Sequence, residues 1–91
     1  MTFDTIMTEL GKVGMELQSL LEKDSVSLKE HEDVLNHSRR VNSLVVTYQQ
    51  MANWYREDEY HKMIAAMKTN IELSDRLAVK IARKEEHDDN Y

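Results

Sequence analysis

From Phe3 onward the apolar positions fall at Phe3, Ile6, Leu10, Val13, Leu17 and Leu20. Steps of three and four keep these side chains on one stripe of an α-helix. Met7, Gly14 and Leu21 lie beside the stripe and widen it. The pattern predicts a first amphipathic helix over 3–23. Gly11 and Gly14 fall inside it, where each glycine costs about 1 kcal/mol relative to alanine. They mark either a neighbouring backbone passing close by or positions where that loss is tolerated.

The stretch "EKDSVSLKE" contains the clearest boundary. Ser27 followed by Glu30 has capping-box spacing, with the hydroxyl facing the later amide and the carboxylate reaching back to the cap. A second helix is therefore expected over 28–55, with Val34, Val41, Val45, Tyr48, Ala52 and Tyr55 on its stripe. Leu35, Leu44 and Met51 broaden the stripe, and Ser38 falls on it. A third pattern over 59–84 uses Tyr60, Ile64, Met67, Ile71, Ala78 and Ile81, with Met63 and Leu77 beside them.

Between the second and third patterns the phase slips by one residue. Either "NWYREDE" is a turn with Asp58 capping a third helix, or one long helix carries a stutter. Asn53 and Asp58 are poor interior helix formers, which favours the break. The final "KEEHDDNY", residues 85–91 with Lys84 before them, is polar and aperiodic and is expected to fray. The expectation is one all-α domain over 1–84. It would be an antiparallel three-helix bundle, or else a long helical hairpin that needs a dimer to cover its remaining apolar surface.

Composition supports this reading. Pro is absent and only two glycines occur, so the punctuation that strand turns require is missing. A chain of 91 residues buries only about 60 to 65% of its unfolded surface, and pairing with another chain would help it. Without cysteine there is neither a disulfide framework nor a thiolate metal site. No long uncharged apolar run marks a membrane span, so a soluble cytoplasmic protein is expected. The formal net charge of -5 disfavours nucleic acid, whose phosphates call for clustered Lys and Arg.

Candidate chemistry is sparse. His31, His37, His61 and His87 form no metal-binding pair of recognised spacing, and no cofactor motif or nucleophile–base pair is evident. The acidic run Glu57, Asp58, Glu59 suits a helix start. The partner-binding candidates are Arg39 and Arg40, which flank the second stripe, and the aromatic pair Trp54 and Tyr55. Trp54 falls off the stripe and is the better interface residue; the tyrosines are expected to be mainly core.

In "HEDVLNHSRRVNSLVVTYQQ", the residues Val34, Leu35, Ser38, Leu44, Val45 and Tyr48 keep a recognisable register. The stretch resembles the second helix of the small sporulation-initiation aspartyl-phosphate phosphatases, helical hairpins that dephosphorylate a response regulator. That resemblance covers about half of the chain and implies a site around Ser38 and Asn42. Arg39 and Arg40 stand where that family has Gln and Glu, and Asn42 where it has its signature Asp, so the negative charge of that carboxylate is missing.

The expected function is that of a small non-enzymatic regulator, inhibitor or adaptor that binds another protein. Compact acidic chains without cysteine occur among phage-encoded accessory factors. The alternatives are a divergent aspartyl-phosphate phosphatase and a self-associating structural protein, for example a homodimer.

Overall fold

The computed structural model describes residues 2–51 and 57–89, with side chains through residue 84. Within them the chain forms three helices, α1 (Phe3–Glu22), α2 (Leu28–Met51) and α3 (Glu57–Asp89), and no strand. Each of the first two helices starts where the local chemistry provides a cap. At α1 the Thr5 amide donates to Thr2 Oγ1 at 3.2 Å from an extended Thr2. At α2 the capping box forms: the Glu30 amide donates to Ser27 Oγ at 3.1 Å, and the Ser27 amide donates to Glu30 Oε1 at 3.1 Å. The Glu30 carboxylate also binds Lys23 across the α1–α2 connection. That ammonium, followed by the Ser27 bonds, pulls its pKa down to about 2.

Long-range bonds fix the helix directions. His37 of α2 reaches Glu9 and Glu16 of α1, while Asn70 of α3 donates to the Leu10 carbonyl of α1. In a straight continuous helix, residues 37 and 70 would stand about 50 Å apart. Both instead meet the same part of α1, so α2 and α3 are separate helices that run in opposite directions, and the break prevails over the stutter. The pairs Lys23–Glu30 and Glu16–His37 run α2 antiparallel to α1. Asn70 with Leu10 and Lys80 with Leu21 run α3 parallel to it. The result is an up-down-up bundle.

α1 is the central element, because both other helices pack along it and touch each other only slightly. Ile6, Leu10, Val13, Leu17 and Leu20 are buried, as their spacing predicts. α2 contributes Val34, Val41 and Val45 to the same core, with Tyr48 half-buried beside them. Met51, expected to broaden the α2 stripe, is 70% exposed. Ala52, Asn53 and Tyr55 lie outside the described residues.

In α3 the expected stripe holds only in part: Met67 and Ile81 pack half-buried against the core. The buried line is Met63, Asn70 and Leu77, whereas Ile64, Ile71 and Ala78 are exposed. Polar Asn70 breaks that line in a reading by hydrophobicity, yet the fold selects it because α1 accommodates the amide. Its Nδ2 donates to Leu10 O at 3.0 Å. Against its Oδ1 lies Gly14, where a Cβ would come within 2.9 Å. The close approach expected at Gly14 is thus made by a side chain, not a backbone. At Gly11 a Cβ would have nothing within 4 Å.

Lys80 completes the α1–α3 contact. α1 has no basic residue in its own last turn, and the Lys80 ammonium donates to the carbonyls of Leu21 at 2.7 Å, Leu20 at 3.5 Å and Lys23. A cation from another helix thereby satisfies the carbonyls that a helix end leaves open. α3 then runs on to Asp89, past residue 84 where the periodic pattern stops. At 33 residues it is much longer than the 20-residue α1, and the molecule measures 58 × 20 × 18 Å.

Candidate functional site

α1 and α2 do not close fully on the side carrying the α2 residues Glu30, Asp33, His37 and Arg40. A shallow groove of about 610 Å³ runs there, with Met15, Glu16, Ser19 and Leu20 on the α1 side and Val34 on the α2 side. Leu20 and Val34 belong to the core, so the groove has an apolar floor between polar walls. Met15 is 74% exposed at its edge.

One end of the groove is held by His37. Its Nδ1 lies 2.9 Å from Glu16 Oε2 and its Nε2 lies 3.4 Å from Glu9 Oε2. With a carboxylate at each ring nitrogen, the imidazolium, which donates from both, is favoured over either neutral tautomer. The His37 pKa is accordingly raised, chiefly by the Glu16 bond; partial burial opposes the shift and Glu9 adds to it. The Glu9 carboxyl is held below its usual range by Lys12 first and His37 second. At the other end Glu30 is engaged by Lys23 and Ser27.

Two charged groups of the groove remain uncommitted. Arg40 and Asp33 have no ion-pair partner among the described residues, and they stand seven residues apart on one face of α2. Arg39 is exposed, and its guanidinium donates to Asn36 Oδ1 at 3.4 Å on the same helix. The adjacent arginines therefore part company: Arg40 lines the groove and Arg39 does not. Trp54 and Tyr55 lie outside the described residues.

The other sequence candidates are dispersed. Ser38 and Asn42 are half-buried on α2. Asp58 lies within the first turn of α3 with Glu57 and Glu59, rather than at its cap. Glu59 accepts a bond of 2.8 Å from the Tyr48 hydroxyl, which ties the end of α2 to the start of α3. His61 lies 3.5 Å from Glu57 in an exposed pair. Among the described residues no three His, Asp or Glu side chains gather as a metal ion would require, and no helix is long and apolar enough to cross a membrane.

Sequence patterning by itself does not single out Met15. Its signal is that of a large apolar residue on the polar face of an otherwise regular amphipathic helix. No family model, curated protein or solved structure matches the chain.

Proposed function

We propose that this protein is a small non-enzymatic regulator, inhibitor or adaptor that acts by binding another protein in the α1–α2 groove. The observation that carries this reading is the exposed Met15 standing with Arg40, a guanidinium that has no carboxylate partner among the described residues, over an apolar floor. Methionine adapts its shape to varied apolar surfaces. Arginine is the side chain of choice for a planar two-point bond to a carboxylate. A partner segment of complementary chemistry presents an apolar side chain to Met15, Leu20 and Val34 and an acidic one to Arg40. Such a pairing of apolar anchor and charged rim is the usual make-up of a small interface.

The test is photo-cross-linking in the producing cell with a benzophenone amino acid at Met15. The reading expects one discrete adduct with a different protein, lost on Arg40→Glu and absent when the probe stands at Gln18, an exposed α1 position outside the groove. Adducts that persist in Arg40→Glu, adducts with the chain itself, or none at all would each overturn it.

A further inference from the structure

On α3 the exposed line Ile64, Ile71 and Ala78 follows the buried line Met63, Asn70 and Leu77 by one residue. It therefore lies about 100° round the helix from the contact with α1. Ile64 is 39% and Ile71 is 55% exposed. A seven-residue repeat of this kind is the spacing of a seam between two helices. Lys68 and Asp75 border the seam on one edge, both exposed, and neither has an ion-pair partner among the described residues. They are seven residues apart on the same helix, too far to pair with each other.

We infer that α3 pairs antiparallel with α3 of a second copy of this chain, centred on Ile71. Turning the helix end over end about Ile71 sets that residue against its own counterpart. Ile64 then faces the partner's Ala78, so the large side chain meets the small one at both ends of the seam. The same operation brings Lys68 beside the partner's Asp75, and Asp75 beside the partner's Lys68, along the edge that the two helices share. Parallel pairing would instead set Ala78 against the partner's Ala78 and leave space at that level, which packing disfavours. The net charge of -5 on each chain opposes self-association, and the two symmetric ion pairs offset part of that repulsion. This surface is on a different element from the α1–α2 groove, so neither assignment depends on the other.

The experiment is sedimentation equilibrium over a wide concentration range, with helix content followed by circular dichroism. The unmodified chain is expected to be a dimer at the higher concentrations. Ile71→Glu should weaken it about a hundredfold or more, by burying two like charges against each other. Lys68→Glu should weaken it about tenfold by turning two attractions into repulsions, and the swap Lys68→Glu with Asp75→Lys should restore it. Because the chain contains no cysteine, Ile64→Cys mixed with Ala78→Cys should give disulfide-linked heterodimers in preference to linked homodimers. A monomer at all concentrations, a dimer indifferent to Ile71→Glu, a swap that fails to rescue, or preferential homodimer linkage would each overturn the inference.

Discussion

Asn70 occupies the room that Gly14 leaves. A Cβ on Gly14 would stand 2.9 Å from Asn70 Oδ1, while Asn70 Nδ2 donates to the Leu10 carbonyl one turn earlier on α1. One small residue and one polar residue thus set the height at which α3 lies along α1. A buried amide bonded to the facing helix is a known way of fixing register between helices.

Gly14→Ala is therefore expected to destabilise the fold by about 1–3 kcal/mol despite alanine's better helix propensity, because the amide must shift or lose its bond. Asn70→Ala should also destabilise it. The double variant should cost less than the sum by about 0.5–3 kcal/mol, since the added methyl group enters space that the amide has vacated. Urea denaturation of the four proteins measures this coupling, and strictly additive losses would refute the contact.

Gly11 provides the opposite expectation. Nothing lies within 4 Å of where its Cβ would stand, and its backbone is helical. Gly11→Ala should raise stability by about 0.5–1 kcal/mol through helix propensity and a less flexible unfolded chain. A loss of stability on denaturation would show that the position is constrained by something other than space.

Much of this fold is legible in the sequence, and the part that is not has a physical cause. The stripe of α1 and the Ser27–Glu30 box are local patterns and appear where they are expected. The separation of α2 from α3 leaves a slip in phase, but a stutter in one long helix would leave the same slip, and only the poor helix formers Asn53 and Asp58 favour the break. The buried face of α3 is not visible, because apolar residues occupy two adjacent lines and the more hydrophobic one, through Ile64 and Ile71, is left exposed. What decides between the lines is a non-local fit: Asn70 bonds Leu10, sixty positions earlier in the chain, and fills the space beside Gly14. Periodicity within one helix carries no record of such a fit. Likewise the arginine pair is plain in the sequence, but only packing distinguishes Arg40 in the groove from Arg39 outside it.

Lys80 should matter more than its place near the end of α3 implies. Its ammonium bonds the last carbonyls of α1, which have no basic residue of their own helix nearby. Lys80→Ala is expected to cost about 1–2 kcal/mol, through the lost cap and the lost cover of its methylene stem. Lys84→Ala, at an exposed position of the same helix, should cost much less. Amide hydrogen exchange should show the α1 residues 17–22 opening faster in Lys80→Ala, and equal protection would dismiss the cap.

His37 gives the fold a dependence on pH whose sign follows from its surroundings. The ring sits between Glu16 and Glu9, so its pKa in the folded chain is raised above the ordinary value of 6.5, chiefly by the Glu16 bond. The folded state binds that proton more tightly than the unfolded chain does. The contribution is full below the unfolded pKa and is lost as pH rises through the folded one. Glu30 acts in the other direction: its pKa, held down to about 2 by Lys23 and Ser27, supports the fold above 4.5 and ceases to do so as pH falls toward the lower value. Thermal unfolding is therefore expected to show greatest stability at mildly acidic pH, declining as His37 loses its proton. His37→Gln keeps a hydrogen-bonding side chain but cannot charge, and should flatten the decline on the neutral side; on the acid limb it keeps the share of Glu30 and loses part of that of Glu9, whose carboxyl His37 helps Lys12 to hold down. An unchanged neutral limb in His37→Gln would mean that the clamp between Glu9 and Glu16 is not what titrates.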